Sequence, residues 1–429
     1  MSVRDINSHP AAPSLWEATA PEPLSTNALA QSVTCDVLVV GAGFTGVSAA
    51  LHLAEKGCKV CVLDAHQPGW GASGRNGGQV NPTFKHDPED LQKIYGKQHG
   101  DQLIDFISGT ADTVFGLINR LDINCSPVRS GWVQAGYTHE AVDAMHKRAA
   151  QWQKYGVRTE ALTKDQVKVR TGTDVFAGGW LDGRAGSVHP LAYIRGLARA
   201  ALNAGVEIYS HSPVTHLEKE GSMWVASTPQ GYEVRAPQVL LATNGYTDGI
   251  WPGLAQTVLS ANSFIVATKP LGEKAHKILA RGETASTSQR LLLYFRKDAD
   301  GRLLMGGRGH FADPQGPSDF EHLERTVSAM YPELGAVEYE YRWAGRIAIT
   351  RDFMPHLHQP SAGITMALGY NGRGVALGTA MGKEVANLIA GGTTVLPITP
   401  IAPIPMHGMQ RFYIAAGVAW YSFLDRLGR

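Results

Sequence analysis

Hydrophobic positions along this chain follow two periods, and the places where one gives way to the other outline its elements. Residues 37–40 (VLVV) are an apolar, β-branched run that predicts a strand. The turn GAGFTG follows at 41–46, and a helical pattern comes after it. Residues 59–63 then predict a second strand, ending at Asp64. Residues 69–78 are mostly Gly, Ala, Ser, Asn, Arg and Trp, which excludes a regular strand or helix there. The pattern turns helical from Asp87 to Leu121, with apolar residues at three- and four-residue spacing, and again over 140–155; a strand-like run lies at 131–137. A helix opening at Pro190 and capped by Gly205 leads to strands at 206–210 and 238–242. Residues 250–340 hold alternating strands, such as 264–268 and 302–307, plus a helix at 320–330, and read as a mostly antiparallel platform. A strand at 363–368, the turn GYNGRG at 369–374 and a helix at 375–390 close the pattern; residues 393–408, rich in proline, read as linker.

The strand–turn–helix at 37–54 carries chemistry. Gly41 permits the tight turn, Gly43 lets backbone approach a pyrophosphate, and Gly46 lets the helix pack on the sheet. The helix N-terminus offers N–H groups and a positive dipole end to phosphate. Asp64 lies 23 positions beyond Gly41, where ribose hydroxyls need an acceptor. These features predict a bound dinucleotide, nicotinamide or flavin. The small-residue loop at 69–78 and the second glycine-rich turn at 369–374 favour the flavin, because both bring backbone to a large flat ring system.

Composition narrows the class. The chain has 429 residues, enough for two domains, and a formal charge of +1, which gives no electrostatic case for nucleic acid. Cys58 and Cys61 form a C-x-x-C, but residues three apart on a strand face opposite ways and no second Cys or His pair follows. We therefore expect inert cysteines, no metal and a reducing compartment. No signal peptide and no segment of ~20 apolar residues is found, so the expected location is cytoplasmic. The aromatic run at 412–424 is expected to dock as a C-terminal helix, with peripheral membrane contact as the alternative.

Six motifs in this order, GAGFTG, GWGASGRNGGQ (69–79), GSVHP (186–190), LLATNGY (240–246), WAGRIAITRDFMP (343–355) and GYNGRGVA (369–376), make the chain resemble the D-amino-acid oxidase/glycine oxidase superfamily. More narrowly, it is similar to the bacterial branch of γ-glutamylputrescine oxidoreductase and L-pipecolate oxidase. The resemblance implies an α/β FAD-binding Rossmann-like domain of glutathione-reductase type, with an interleaved α+β substrate domain built on an antiparallel sheet. We divide the chain into an N-terminal extension (1–33), an FAD domain (34–85, 183–248 and 340–392), a substrate domain (86–182 and 249–339) and a C-terminal linker and helix (393–429).

By the same resemblance Gly41, Gly43, Phe44, Thr45 and Gly46 take the FAD pyrophosphate and Asp64 the adenosine ribose. Ser73, Arg75, Asn76, Gly77, Gly78 and Gln79 run beside the pyrophosphate and isoalloxazine. Val214 meets the adenine, Ala242, Thr243 and Gly245 cover the ribityl side, and Gly345 adjoins the cofactor. Gly372, Arg373, Gly374 and Val375 sit at flavin N1/O2, where a positive helix end stabilises the reduced ring. Some relatives attach FAD through a Cys in the C-terminal part or a His in the early loop; here no Cys follows Cys125 and the loop has Arg75 and Asn76, so the FAD is expected to be non-covalent.

The implied reaction is hydride transfer from the carbon beside an amine nitrogen to the flavin, giving an imine, with O₂ or a quinone as acceptor. Such a site needs orientation and water exclusion more than a strong base, so no catalytic acid or base is assigned. A carboxylate-bearing substrate wants a bidentate arginine, and Arg346 and Arg373 are the first candidates, ahead of Arg296 and Arg308. Tyr246, Tyr294 and Trp343 are candidate pocket walls, His310 a further one, and His189 is expected to cap the helix at Pro190. Two departures stand out. Sarcosine oxidase, a more distant relative, has a lysine near the flavin where this chain offers Leu304 or Met305, and another after the second glycine turn where it has Ala376. Polyamine-linked members of the branch follow their GGQ with I-V-N-S where this chain reads GGQVNPTF, and by that comparison the resemblance implies a cyclic imino acid, L-pipecolate first, with proline-like, sarcosine-like and γ-glutamyl-polyamine substrates as alternatives. A flavin-binding protein without amine turnover is the non-enzymatic alternative.

Overall fold

The computed structural model describes residues 13–289, 292–309 and 312–410. Its first layer is a six-stranded sheet in the order His356–Ser361, Ile364–Leu368, Gln238–Leu241, Val37–Val40, Val60–Leu63, Glu207–Tyr209. All neighbours are parallel except the first pair. The period-2 rule explains why its strands are apolar throughout. Val37 and Val39 point into a core shared with helices Phe44–Ala54, Pro190–Asn203 and Gly374–Ile389, while Leu38 and Val40 point into a second core under a four-stranded sheet. Cys61 faces that second core and Cys58 the first, so the two cysteines do point apart; all four cysteines are free thiols.

The platform is an eight-stranded sheet. Its order is Tyr339–Thr350, Val258–Thr268, Leu303–Arg308, Tyr294–Lys297, Thr284–Thr287, Trp132–Gly136, Gly178–Asp182, Thr159–Thr163. Every pair is antiparallel except Thr284–Thr287 with Trp132–Gly136. Helix Glu321–Met330 closes one of its faces, through Leu323, Val327 and Met330.

Several expectations are refined. The loop at 69–78 contains one helical turn, Ala72–Arg75, because its glycines let it fold tightly: a Cβ on Gly74 would lie 2.1 Å from the Gly69 carbonyl oxygen. The helical stretch after Asp87 is three helices, Pro88–Tyr95, Lys97–Ser108 and Thr110–Arg120, broken at Gly96 (φ +77°) and Gly109. Residues 340–350, assigned by sequence to the FAD domain, belong to a strand hydrogen-bonded along its length to the platform strand Val258–Thr268. From residue 13 onward the N-terminal extension is packed into the fold, since helix Leu15–Thr19 buries Leu15 and Trp16 and Val33–Thr34 pairs with Glu233–Ala236. The 412–424 segment lies outside the described residues. Among those described, no helix is long and apolar enough to cross a membrane.

Candidate active site

A cavity of about 480 Å³ opens at the carboxyl ends of Val37–Val40, Val60–Leu63 and Gln238–Leu241 and extends to the platform. Two helices aim their N-termini at it, Phe44–Ala54 from Gly43 and Gly374–Ile389 from Arg373, and neither has a side-chain cap. Ser73 Oγ accepts the Phe44 N–H at 2.9 Å, and the other first-turn N–H groups are left for a ligand to satisfy. A single bond ties the two turns together: Thr45 Oγ1 and Tyr370 Oη lie 2.7 Å apart, 325 residues apart in sequence. Small residues let the two helices touch, for a Cβ on Gly382 would lie 2.5 Å from the Thr45 carbonyl oxygen.

The turn at 41–46 is fixed by backbone. Gly41 adopts φ +108° and a Cβ there would meet the Ala242 carbonyl oxygen at 2.9 Å; one on Gly46 would lie 1.9 Å from the Gly41 carbonyl oxygen. Asp64 receives the Ala42 N–H on Oδ2 (2.6 Å) and the His66 N–H on Oδ1 (2.8 Å). Burial pushes its carboxyl up to about 6, against the pull of those two N–H groups. This wall suits an extended dinucleotide: two uncapped helix starts, an acid at the end of the second strand, and glycine backbone between. FAD held here by Gly41, Gly43, Thr45 and the turn at 372–375 matches that donor set.

Most predicted cofactor residues line the cavity. Gly41, Gly43, Phe44, Thr45, Asp64 and Ser73 do so on the first turn and loop; Asn76, Gly77, Gln79 and Val214 follow. Ala242, Thr243, Gly345 and Gly372 to Val375 complete the wall. Three do not. Gly46 is covered by its own turn, Gly78 packs on the Val188 carbonyl, and Gly245 packs on the backbone of Arg346 and Ile347. Arg75 reaches the wall, but its guanidinium turns to the rear, donating to the Trp70 and Ala344 carbonyls and pairing with Glu17.

On the substrate side Tyr246 and Tyr294 line the cavity, and Tyr294 Oη meets Ser263 Oγ at 2.8 Å. Trp343 does not: it is 2% exposed and donates Nε1–H to the Arg75 carbonyl, so it supports the loop from behind. Arg346 is committed, pairing with Asp313 at 3.0 Å and lying over the Tyr246 ring. Arg373 lies over Trp132, and its buried Nε has no partner. Arg296 packs over Trp16, away from the cavity, and Arg308 lines it. Leu304 and Met305 are buried in the platform and do not line the cavity. His189 does cap its helix, Nδ1 accepting the Ala192 N–H at 3.1 Å; burial beside Arg296 pushes the ring down to about 4 and keeps it neutral. His310 lies outside the described residues.

Three contributors escaped the sequence reading. Lys85 and Asn81 line the cavity from the chain just past the loop, and no spacing separates them from ordinary loop residues. Trp16 is the third. Its Nε1–H donates to the Asn76 carbonyl (2.8 Å), and its ring packs edge-on against His189 and Trp343 and under Arg296. The N-terminal helix thereby braces the cavity loop from outside.

Known proteins agree with this architecture. The profile of the family described as FAD dependent oxidoreductase (DAO) matches residues 36–388. A probable oxidoreductase OrdL of Haemophilus influenzae is 34% identical, over 93% of this chain and 94% of the relative. The γ-glutamylputrescine oxidoreductase of Escherichia coli is 32% identical over 97% and 98%. Among solved structures, glycine oxidase from Geobacillus kaustophilus superposes with a TM-score of 0.74 at 20% identity, over 87% of this chain and 99% of that one. The L-proline dehydrogenase of P. horikoshii gives 0.72 at 20%, over 86% and 96%. These last two are likenesses of fold.

Proposed function

This chain belongs to the FAD-dependent oxidoreductase family, and on that premise we propose that it oxidises the C–N bond of an amine that also carries a carboxylate, a γ-glutamyl-amine being the first candidate. The observation that carries the reading is the cavity itself, lined by two helix starts without an N-cap side-chain bond and by the cations Lys85 and Arg373, neither of which forms a salt bridge among the described residues. When bound, FAD supplies a hydride acceptor. The protein's part is to orient the amine and exclude water. Tyr294, pinned through Ser263, gives a fixed aromatic wall for that purpose, and Tyr246, held by Arg346 and Trp70, gives another.

Likeness to γ-glutamylputrescine oxidoreductase over nearly both whole chains supports the γ-glutamyl-amine. The sequence-based first choice, L-pipecolate, keeps only the argument from GGQVNPTF and becomes the second candidate. Anaerobic flavin bleaching by γ-glutamylputrescine, L-pipecolate, L-proline and sarcosine tests the reading: bleaching by at least one is expected, and silence with all of them refutes amine oxidation. Acid precipitation is expected to leave the yellow colour in the supernatant, because no cysteine lines the cavity; a yellow pellet would show covalent attachment.

A further inference from the structure

The cavity lining carries an unsatisfied amide acceptor and two cations without a salt bridge among the described residues. Asn81 is 5% exposed and lines the cavity. Its Nδ2 donates to Gln79 Oε1 at 3.2 Å, and Gln79 is itself oriented, since its Nε2 donates to the carbonyls of Ala285 and Phe295. The amide of Asn81 therefore has one orientation, and its buried Oδ1 is an acceptor without a protein partner. Four residues on, Lys85 lines the same cavity and has no hydrogen bond or ion pair among the described residues. Arg373 lines it too, stacked on Trp132, with its buried Nε unpartnered.

Charge makes the arrangement costly as it stands. Lys85 is exposed to the open cavity, yet desolvation against its wall and the charges of Arg373 and Arg148 push the ammonium down to about 7, and burial pushes Arg373 down to about 10. Arg148 has its own acid in Asp87, so it needs nothing further. Lys85 and Arg373 form no salt bridge among the described residues, and Asp182, the acid that acts on Arg373, is already paired with Arg184. Two cations without a salt bridge ask for an anion, and the orphaned acceptor lining the same cavity asks for an N–H. Arg346, the more obvious carboxylate clamp, is already engaged by Asp313.

The geometry points to Asn81, Lys85 and Arg373 as the subsite for the amino-acid head of the substrate, its carboxylate on Lys85 and Arg373 and its neighbouring N–H on Asn81 Oδ1. That chemistry has two sources, the reacting imino acid itself or the distal head of a γ-glutamyl-amine. The assignment rests on the reading of the chain as an amine oxidoreductase.

The test uses the flavin of the intact holoprotein as reporter and two planar acids of one shape, pyrrole-2-carboxylate and furan-2-carboxylate. They differ in presenting an N–H or an oxygen beside the carboxylate, and neither has an sp³ C–H to oxidise. Both are expected to perturb the flavin spectrum, the pyrrole more tightly. Lys85→Met should weaken both roughly 10- to 100-fold, the range of a hydrogen bond to a charged group, and Lys85→Arg should restore much of the loss. Asn81→Ala should bring the pyrrole-over-furan ratio towards one. Native-like binding of both acids in Lys85→Met (or in Lys85→Gln, should the first variant not fold) overturns the subsite. So does an unchanged ratio in Asn81→Ala, or no response of the native holoprotein to either acid.

Turnover separates the sources. A distal head means that Lys85→Met raises KM for γ-glutamylputrescine more than for putrescine; a reacting imino acid means that it raises KM for L-pipecolate. If the acids bind in the expected pattern while no amine bleaches the flavin, the amine reading fails and the subsite stands.

Discussion

The two walls of the cavity are made by different means. The glycine wall, from 41–46 and 372–375, is backbone: its shape comes from turns that only glycine can close and from two helix starts. The opposite wall is side chain: Asn81, Lys85, Tyr294 and Arg346 arrive there from a loop and two strands of different origin. A backbone wall can recognise a pyrophosphate and a ring edge whatever its side chains are. A side-chain wall can be recut one residue at a time, and it is where this chain has Lys85 and a committed Arg346. Holding the cofactor and choosing the substrate are thus separable, and substitutions should separate them.

The largest effect is expected on the glycine wall. Gly46→Val forces a side chain to within 1.9 Å of the Gly41 carbonyl oxygen, backbone that cannot yield. We expect colourless or insoluble protein, read by the flavin absorbance of the purified fraction; a yellow, soluble Gly46→Val variant would mean that the turn is softer than its packing indicates. Trp16→Ala comes next. Losing a fully buried tryptophan costs about 3–5 kcal/mol, and the loop at Asn76 loses its outer brace. The melting temperature should fall, and flavin should dissociate more readily. Trp16→Phe, which keeps most of the packing but drops the N–H, should cost about 1 kcal/mol and still loosen the flavin if the brace is real.

A pH titration probes the other wall. The Lys85 ammonium is pushed down to about 7 by burial and by Arg373 and Arg148, the latter paired with Asp87. Carboxylate binding that needs the charge is therefore complete below pH 7 and weakens above it, by up to roughly tenfold per pH unit, while Arg373, at about 10, stays charged. A flat profile between pH 6 and 9 would remove Lys85 from the subsite. The stability effect runs the opposite way. Below pH 7 both folded and unfolded states carry the proton; between 7 and the unfolded value of about 10.4 the folded state sheds it first, so stability rises with pH, and only slightly because Lys85 is exposed to solvent. The smallest effect should come from Gly372→Ala. Gly372 adopts φ +80°, but a Cβ there meets nothing within 4 Å, so the cost is the backbone strain alone, about 1 kcal/mol. The variant should stay yellow, and the contrast with Gly46→Val isolates packing from conformation.

By itself the sequence determined whatever depends on neighbours in the chain. The run at 37–40, the spacing of Gly41, Gly43 and Gly46, the acid at 64 and the second turn at 369–374 are local patterns, and each encodes its own strand, turn or helix start. The same logic made His189 a legible cap. Tertiary structure decided the rest. Trp343 sits in a motif beside the cofactor loop, yet the twist of its strand turns it to the rear, where Arg75 and Trp16 wait. Arg346 lost its freedom to Asp313, 33 residues away, and Lys85 acquired meaning only when the fold brought Arg373 to act on it. Periodicity says which face a residue takes within its element. Which partner meets that face, and whether a charge there is answered, depends on contacts between distant segments that no local pattern records.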